Sequence, residues 1–207
     1  MPSGLFLFMN LNTEFGNIDI YVFDQLLRGR IAPGMRVFDA GCGGGRNLVY
    51  LLRNGFDVCG NDADANAIAS VRELCGSLAP DRDRDFRVEA IEQTSFPDAH
   101  ADVVLASAVL HFARDPGHFE AMLRQMWRVL RPGGLFFARL ASTIGMAGDL
   151  VPIGGGRYRL PDGSDRYLVD TAAIEDWTRR LGGALIDPIK TTVVDGQRAM
   201  TTWVARK

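Results

Sequence analysis

The chain has 207 residues, 47% hydrophobic and 23% charged, and its 23 Lys and Arg against 25 Asp and Glu leave a net charge of −2. That composition suits one folded domain and excludes a wholly disordered chain, which lacks the apolar surface to offset its ordering entropy, as well as a small scaffold that needs metal or disulfide staples. It also disfavours nucleic acid as the main partner, because proteins that live on phosphate backbones carry a clear positive excess.

At the start of the chain, Leu5 to Met9 form an apolar run. It is shorter than a secretory core and lacks a basic flank, and no stretch approaches the roughly 20 apolar residues of a membrane span. The expectation is a soluble, unexported, cytoplasmic protein that begins at Met1 or Met9. Asn17 to Arg28 reads as a helix with Ile18, Val22, Phe23 and Leu26 on one face and Gly29 as its stop, within an N-terminal helical segment of residues 1–34.

Met35 to Gly41 reads as a buried strand, and Arg46 to Asn54 as a short helix with Leu48, Leu51 and Leu52 on one face. Asp57 to Asn61 is a second strand. Asp64 is an N-cap for a helix through Leu78 with Ile68, Val71, Leu74, Cys75 and Leu78 at helical spacing. Phe86 to Ile91 and Ala101 to Ser107 are the third and fourth strands. Asp115-Pro116 then supplies a cap and a first-turn proline for a helix carrying Phe119, Met122, Leu123, Met126, Val129 and Leu130. Pro132-Gly133-Gly134 ends it, and Leu135 to Leu140 is the fifth strand.

Residues 141–169 break this rhythm. Gly154-Gly155-Gly156 and Pro161-Asp162-Gly163 mark turns, so the region is expected to be an inserted loop with a β-hairpin. A helix over Thr171 to Leu181 follows. The runs Ala184 to Val194 and Arg198 to Ala205 then flank Asp195-Gly196, a strong hairpin signal. Alternating strands and helices predict an α/β fold whose sheet is mostly parallel, with right-handed crossovers, and ends in an antiparallel hairpin. Cys42, Cys59 and Cys75 suit neither a disulfide framework nor a zinc site and read as reduced thiols; no metal is expected.

The chemistry centres on Val37-Phe-Asp-Ala-Gly-Cys-Gly-Gly-Gly-Arg-Asn47, a strand running into a glycine cluster. Glycines let a ligand lie against bare backbone, and amides at a following helix start offer donors to an anion. Asp62, at the end of the second strand, stands where a carboxylate accepts hydrogen bonds from ribose hydroxyls. A dinucleotide cradle wants a third glycine where this sequence has Arg46, so a pyrophosphate ligand is disfavoured.

Taken together, these residues resemble a class I S-adenosylmethionine-dependent methyltransferase, well over residues 35–140 and more loosely to the C-terminus. Asp39 to Gly45 is similar to the family's first motif, and Leu130-Arg-Pro-Gly-Gly-Leu-Phe136 to its turn before the fifth strand. The Gly-Cys-Gly-Gly-Gly-Arg-Asn run is similar to the small-molecule and tellurite-resistance branches. The resemblance implies one methyltransferase domain over 1–207, a Rossmann-like three-layer α/β/α architecture with seven strands, and an inserted lid over 141–169. It implies S-adenosylmethionine as cofactor and methyl transfer to a small-molecule acceptor, with S-adenosylhomocysteine as product and no membrane partner; the chain is read as a monomer or homodimer. Asp39, Gly41, Cys42, Gly43, Arg46, Asn47, Asp62, Ala63, Ile91, Glu92 and Ser107 are the implied cofactor contacts. Many relatives place an acid that meets the adenine amino group where this chain has Ala90, so Ile91, Glu92 and Ala63 inherit that task.

Methyl transfer is an in-line displacement dominated by alignment, and a base is needed only for a protonated nucleophile. His111, beyond the fourth strand, is the catalytic candidate, as base or as hydrogen-bond partner of the acceptor, against a capping role near Asp115. His100 and His118 read as solvated. Tyr21, Arg139 and Tyr158 are candidate acceptor contacts. Arg139, on a buried strand, needs a partner, either an anionic substrate or an internal carboxylate. Arg46 pairs with the cofactor's carboxylate or caps the glycine loop. Phe15 and Tyr21 also suit core packing. Arg124, Arg128 and Arg131 read as a solvated stripe. Tyr158, Arg159 and Tyr167 belong to the lid, or else to a surface hairpin or dimer contact. Two other functions stay open: a catalytically inactive cofactor sensor and an NAD(P)-dependent oxidoreductase.

Overall fold

The computed structural model describes residues 10–80, 85–146, 148 and 150–207. The apolar run Leu5 to Met9, and with it the choice of start, lies outside the described residues. In chain order the elements are α1 (Leu11–Phe15), α2 (Ile20–Leu27), β1 (Arg36–Ala40), α3 (Val49–Arg53), β2 (Asp57–Asp62), α4 (Ala65–Leu78), β3 (Phe86–Val88), β4 (Ala101–Ser107), α5 (Pro116–Val129) and β5 (Leu130–Ala141). Then come β6 (Val151–Gly154), β7 (Arg157–Arg159), β8 (Asp165–Tyr167), α6 (Thr171–Arg180), β9 (Ala184–Leu185), β10 (Lys190–Val194) and β11 (Arg198–Arg206).

The main sheet has eight strands, with the path β3-β2-β1-β4-β5-β11-β10 and the short β9 beside β11. The strands from β3 to β5 are parallel, and β11 runs antiparallel between β5 and β10. The order reverses at β1 and β4, the place where open α/β sheets put their ligand crevice.

Side-chain alternation explains the layers. Phe38, Val104, Phe136, Ala138 and Trp203 point to one face and pack with Phe119, Leu123 and Met126 of α5 and Ile174 of α6. Their neighbours Val37, Leu105, Leu135, Phe137 and Val204 point to the other and pack with Val22, Leu51, Ile68 and Val71 of α2, α3 and α4. A strand buried on both faces reads as a continuous apolar run, as these do. The helix starts are set by acids: Asp64, Asp115 and Asp170 accept the amides of Asn66, His118 and Ala173. Ends of the sheet are stapled by Asp102, which accepts the Arg36 amide at 2.6 Å and pairs with Arg131 at 2.5 Å.

The structure corrects several sequence expectations. The N-terminal helix starts at Ile20, where Asp19 caps it, and a separate short helix precedes it. The helix expected over Arg46 to Asn54 is only Val49–Arg53, because the glycine loop continues as turns through Leu48. β3 stops at Val88, and Ile91 belongs to a 3₁₀ turn. β5 begins at Leu130 instead of Leu135: Pro132 cannot extend a helix, and the chain enters the sheet through a bulge between Ala101 and Val103 of β4. The run from Ala184 is split at Pro188 into β9 and β10. The insert is a three-stranded antiparallel sheet, β6-β7-β8, not a hairpin. Gly154, Gly155 and Gly156 all take positive φ (92°, 60° and 74°), which makes the first of its two turns. A bridge between Ser142 and Val169 closes the neck of this excursion. Of the expected solvated stripe, Arg124 and Arg131 are exposed and Arg128 is half-buried; the three pair at the surface with Glu120, Asp102 and Asp98 in that order. No helix among the described residues is long and apolar enough to cross a membrane.

Phe136 is fully buried, with its ring 5.1 Å from Trp203 and 5.8 Å from Trp127. Phe136→Ala is expected to cost about 3–5 kcal/mol of stability through lost burial and a cavity, read as a lower urea midpoint at unchanged m-value.

Candidate functional site

Three adjoining recesses lie at the carboxyl ends of the strands. The first, about 200 Å³, is lined by Asp62, Ala63, Ala90, Ile91, Glu92, Phe112 and His118. The second, about 460 Å³, follows the loop Gly41 to Asn47 with Gly16, Asn17 and Ser107. The third, about 270 Å³, is walled by Arg46, Ala108, His111 and Arg139 from the sheet side and by Leu160, Asp162, Ser164 and Arg166 from the insert. Gly41 borders the first two and Arg46 the last two, so they form one crevice. A larger recess of about 810 Å³ opens at the amino ends of the strands, beside Arg36, Asp57 and His100. It is remote from the glycine loop, so the smaller crevice is the better site.

The glycine loop differs from the sequence expectation in one respect. The Gly41 and Cys42 amides donate to the Asn61 carbonyl, the Gly43 amide to Asp62 Oδ2, and the Gly45 amide to the Cys42 carbonyl. Most of the loop's donors are therefore spent inside the protein, and α3 starts only at Val49, four residues past Gly45. What the loop offers is bare surface. A Cβ on Gly41, whose φ is 69°, would lie 2.4 Å from Val109, while one on Gly43 would meet nothing within 4 Å.

Around the loop sit three carboxylates. Asp39 is buried, and its Oδ2 has no hydrogen-bond partner. Burial pushes its carboxyl up to about 7; Arg46 pulls against this and Asp62 adds to it. Asp62 closes the loop through Gly43 and accepts the Asp64 amide at 2.9 Å, which fixes its orientation. Asp19, absent from the sequence expectations, is the hub. Its side chain is 0% exposed, its Oδ1 caps α2, and its Oδ2 receives Arg139 at 3.0 Å, Ser107 at 3.1 Å and Arg46 at 3.3 Å. The Asp19 amide in turn donates to Asn47 Oδ1 at 2.9 Å. An aspartate before an apolar helix was a visible capping signal, but its distant partners were not.

These contacts settle where the other candidates point. Arg139 holds the internal carboxylate, beneath which lies the Tyr21 ring, 5.2 Å from its guanidinium carbon. The Tyr21 hydroxyl bonds Thr192 at 2.7 Å and supports Arg139 from below. Arg46, Asn47 and Ser107 line the second recess while also bracing Asp19. Cys42 lines the same recess as a thiol whose pKa burial pushes up. Ala63, Ile91 and Glu92 meet in the first recess as expected. Tyr158 packs with Leu160, Leu168 and Ala141 instead of lining a recess, and Phe15 stacks on Tyr50.

The histidines also differ. His118, read as solvated, is enclosed: Nδ1 accepts the Arg114 amide at 3.1 Å and Nε2 lies 3.1 Å from Glu92, off the line of a good hydrogen bond. Although burial pushes the other way, its own amide and His118 hold the Glu92 carboxyl below the usual range. His111 is buried, and its Nδ1 accepts the Ala141 amide at 3.2 Å. That bond puts the neutral ring's proton on Nε2. Burial, reinforced by the Arg166 charge, pushes the imidazole down to about 4.

Comparison with known proteins gives a consistent picture. The family model described as "Methyltransferase domain" matches residues 38–138. An uncharacterized methyltransferase of Synechocystis sp. is 33% identical over 106 residues, 51% of this chain and 47% of that protein. A ubiquinone biosynthesis O-methyltransferase of Mesorhizobium japonicum is 30% identical over 185 residues, 84% of this chain and 68% of that one. The matched stretch thus covers about half of the first relative and two thirds of the second. Among solved structures, the Burkholderia thailandensis 1,6-didemethyltoxoflavin-N1-methyltransferase, with bound 1,6-didemethyltoxoflavin and S-adenosylhomocysteine, superposes with a TM-score of 0.70 at 18% identity, covering 96% of this chain and 81% of that one. At that identity it shows a shared fold.

Two outcomes are expected. Asp19→Ala removes a helix cap and leaves two guanidiniums without their carboxylate, so stability should drop by at least about 2 kcal/mol in urea unfolding. His111 stays neutral in the folded protein down to about 4, whereas the unfolded ring takes its proton near 6.5. Its stabilising share is complete above 6.5 and is lost as pH falls toward 4. Asp39 has the opposite sign, so the comparison must be differential: between pH 7 and pH 4 the wild type should lose roughly 2–3 kcal/mol relative to His111→Gln.

Proposed function

The chain belongs to the S-adenosylmethionine-dependent methyltransferase family, and from that premise we propose that it transfers a methyl group from S-adenosylmethionine to a small-molecule acceptor in the third recess. The observation that carries this reading is the crevice's division of labour. One end has a fixed carboxylate and an apolar wall, the middle is a glycine surface above a buried, unpartnered acid, and the far end is a separate walled chamber.

The residues fit the cofactor. Asp62 would accept the ribose hydroxyls, since its two oxygens are held in place by the Gly43 and Asp64 amides and keep lone pairs to spare. Ala63 and Ile91 would sandwich the adenine, with Glu92 at its polar edge in place of an acid at Ala90. Asp39 supplies the negative charge that an α-ammonium group needs beneath the loop. Arg46 offers the complementary charge to an α-carboxylate, while Gly41, Cys42, Gly43 and Asn47 shape the surface. Bound there, the cofactor supplies an electrophilic methyl group. The protein's part is alignment and exclusion of water, and well-aligned reactants gain about 7–11 kcal/mol of barrier. His111 contributes as a neutral donor through Nε2–H, since its Nδ1 is already occupied. Tyr158 and Tyr21 act behind the chamber walls.

The assignment to the small-molecule branch rests on the walled third recess. A tellurite-resistance affinity rests on the Gly-Cys-Gly-Gly-Gly-Arg-Asn run alone. We read the chain as one domain over 1–207, acting in the cytoplasm. A dinucleotide reading is disfavoured because the Arg46 side chain, tied to Asp19 and Ser107, stands where the pyrophosphate would pass.

Calorimetry with S-adenosylhomocysteine tests the cofactor assignment. Asp62→Ala also loses the bonds to the Gly43 and Asp64 amides, so binding is read on the folded variant, where it should weaken by about 1.5–3 kcal/mol; an unaltered dissociation constant would refute the ribose role. Turnover of thiols, phenols, amines and chalcogen oxyanions tests the reaction, and tight binding with no turnover of any acceptor would favour the sensor alternative.

A further inference from the structure

The third recess is strongly one-sided in charge. Four guanidiniums, those of Arg46, Arg139, Arg166 and Arg198, border it, against the single carboxylate of Asp162. Arg46 and Arg139 share the single carboxylate of Asp19 below the floor, and Arg139 Nε is buried with no partner. Asp162 is already occupied: it accepts the Ser164 amide and hydroxyl, and Arg198 lies 3.6 Å away. Arg166 has no carboxylate in ion-pair range among the described residues. Its hydrogen bond goes to the Asp165 carbonyl at 2.8 Å, and its guanidinium lies over the Phe112 ring at 4.8 Å. The remaining polar group, His111, is fixed as a donor by the Ala141 amide.

A chamber that offers donors and positive charge, and whose one acid is spent, is built to receive acceptor atoms bearing negative charge. Planar guanidiniums match a carboxylate in two-point geometry. The cofactor's α-carboxylate is assigned to Arg46 and its sulfonium is positive, so the negative charge that Arg166 and Arg198 await at the insert side has to come from the acceptor. We propose that the methyl acceptor is a small carboxylate, whose anionic group is held by Arg166 and Arg198 at the insert side of the chamber. This inference rests on the methyltransferase reading above and names the substrate class of that same site. The arrangement also rejects cationic amines, which would meet unbalanced positive charge. Arg166 is the principal selector: Asp162 and Asp165 feel its charge, but neither closes an ion pair with it, and the Phe112 face fixes its orientation.

The test uses the full chain saturated with S-adenosylhomocysteine, titrated with 4-hydroxybenzoate and 3-mercaptopropionate, each against its neutral amide. The acids are expected to bind at least about tenfold more tightly than the amides, in keeping with hydrogen bonds to a charged group. That preference should fall to about threefold or less in Arg166→Gln and be partly retained in Arg166→Lys, which keeps a point charge but not the two-point fork. Arg198→Gln, at an exposed position, should reduce it too. Affinity for S-adenosylhomocysteine should stay unchanged in all three variants. Equal binding of acids and amides, no binding of either, or a preference that survives both glutamine variants overturns the inference alone. Loss of S-adenosylhomocysteine binding by the wild type overturns the methyltransferase reading, and this inference with it.

Discussion

A single buried carboxylate ties the molecule together. Asp19 shows no side-chain exposure, yet two guanidiniums, a hydroxyl and a helix amide converge on it. A charge so far from water is tolerable only when every lone pair is used, and removing any partner exposes the others to that cost. The partners come from separate parts of the chain: the loop after β1, the end of β4 and the middle of β5. The N-terminal segment is thereby fastened across the strand ends, and the floor shared by the middle and outer recesses is set. Two guanidiniums share that one carboxylate, so the floor keeps a net positive charge.

Much of the fold was legible because apolar periodicity reports burial directly. β4 falls on Ala101–Ser107 and α4 on Ala65–Leu78 as the pattern and the Asp64 cap predict. The glycine loop and Asp62 left local marks, through backbone freedom and a strand-end acid, whereas Ile91 and Glu92 were reached only through the family resemblance. The Asp19 hub left none, since its bonds to Arg46, Ser107 and Arg139 span 27, 88 and 120 residues. Polar pairs at such separations have no period to detect. The same holds for His118, which looked exposed on its helix and is enclosed by Glu92, an element away. The third strand of the insert escaped because β6 is exposed throughout, with no alternation to announce it.

Several side chains serve two purposes at once. Arg46, Asn47 and Ser107 face the crevice and also carry the hub. A residue chosen from sequence as a ligand contact can therefore fail to bind for structural reasons when altered. Only a paired measurement of stability and affinity separates the two effects. His111 shows the same economy: the bond that holds its ring fixes which nitrogen carries the proton, so packing dictates its chemistry.

The insert leaves the sheet after Ala141 and returns at Val169, where the bridge to Ser142 zips the two ends together. The excursion hangs from that junction and packs on the main sheet through a small apolar cluster, in which Leu160 and Leu168 meet Ala141 and Met200. It supplies one wall of one chamber and lines neither of the other two recesses. Substrate taste in this architecture can drift by exchanging one contiguous cassette, while the machinery that grips the donor is left untouched.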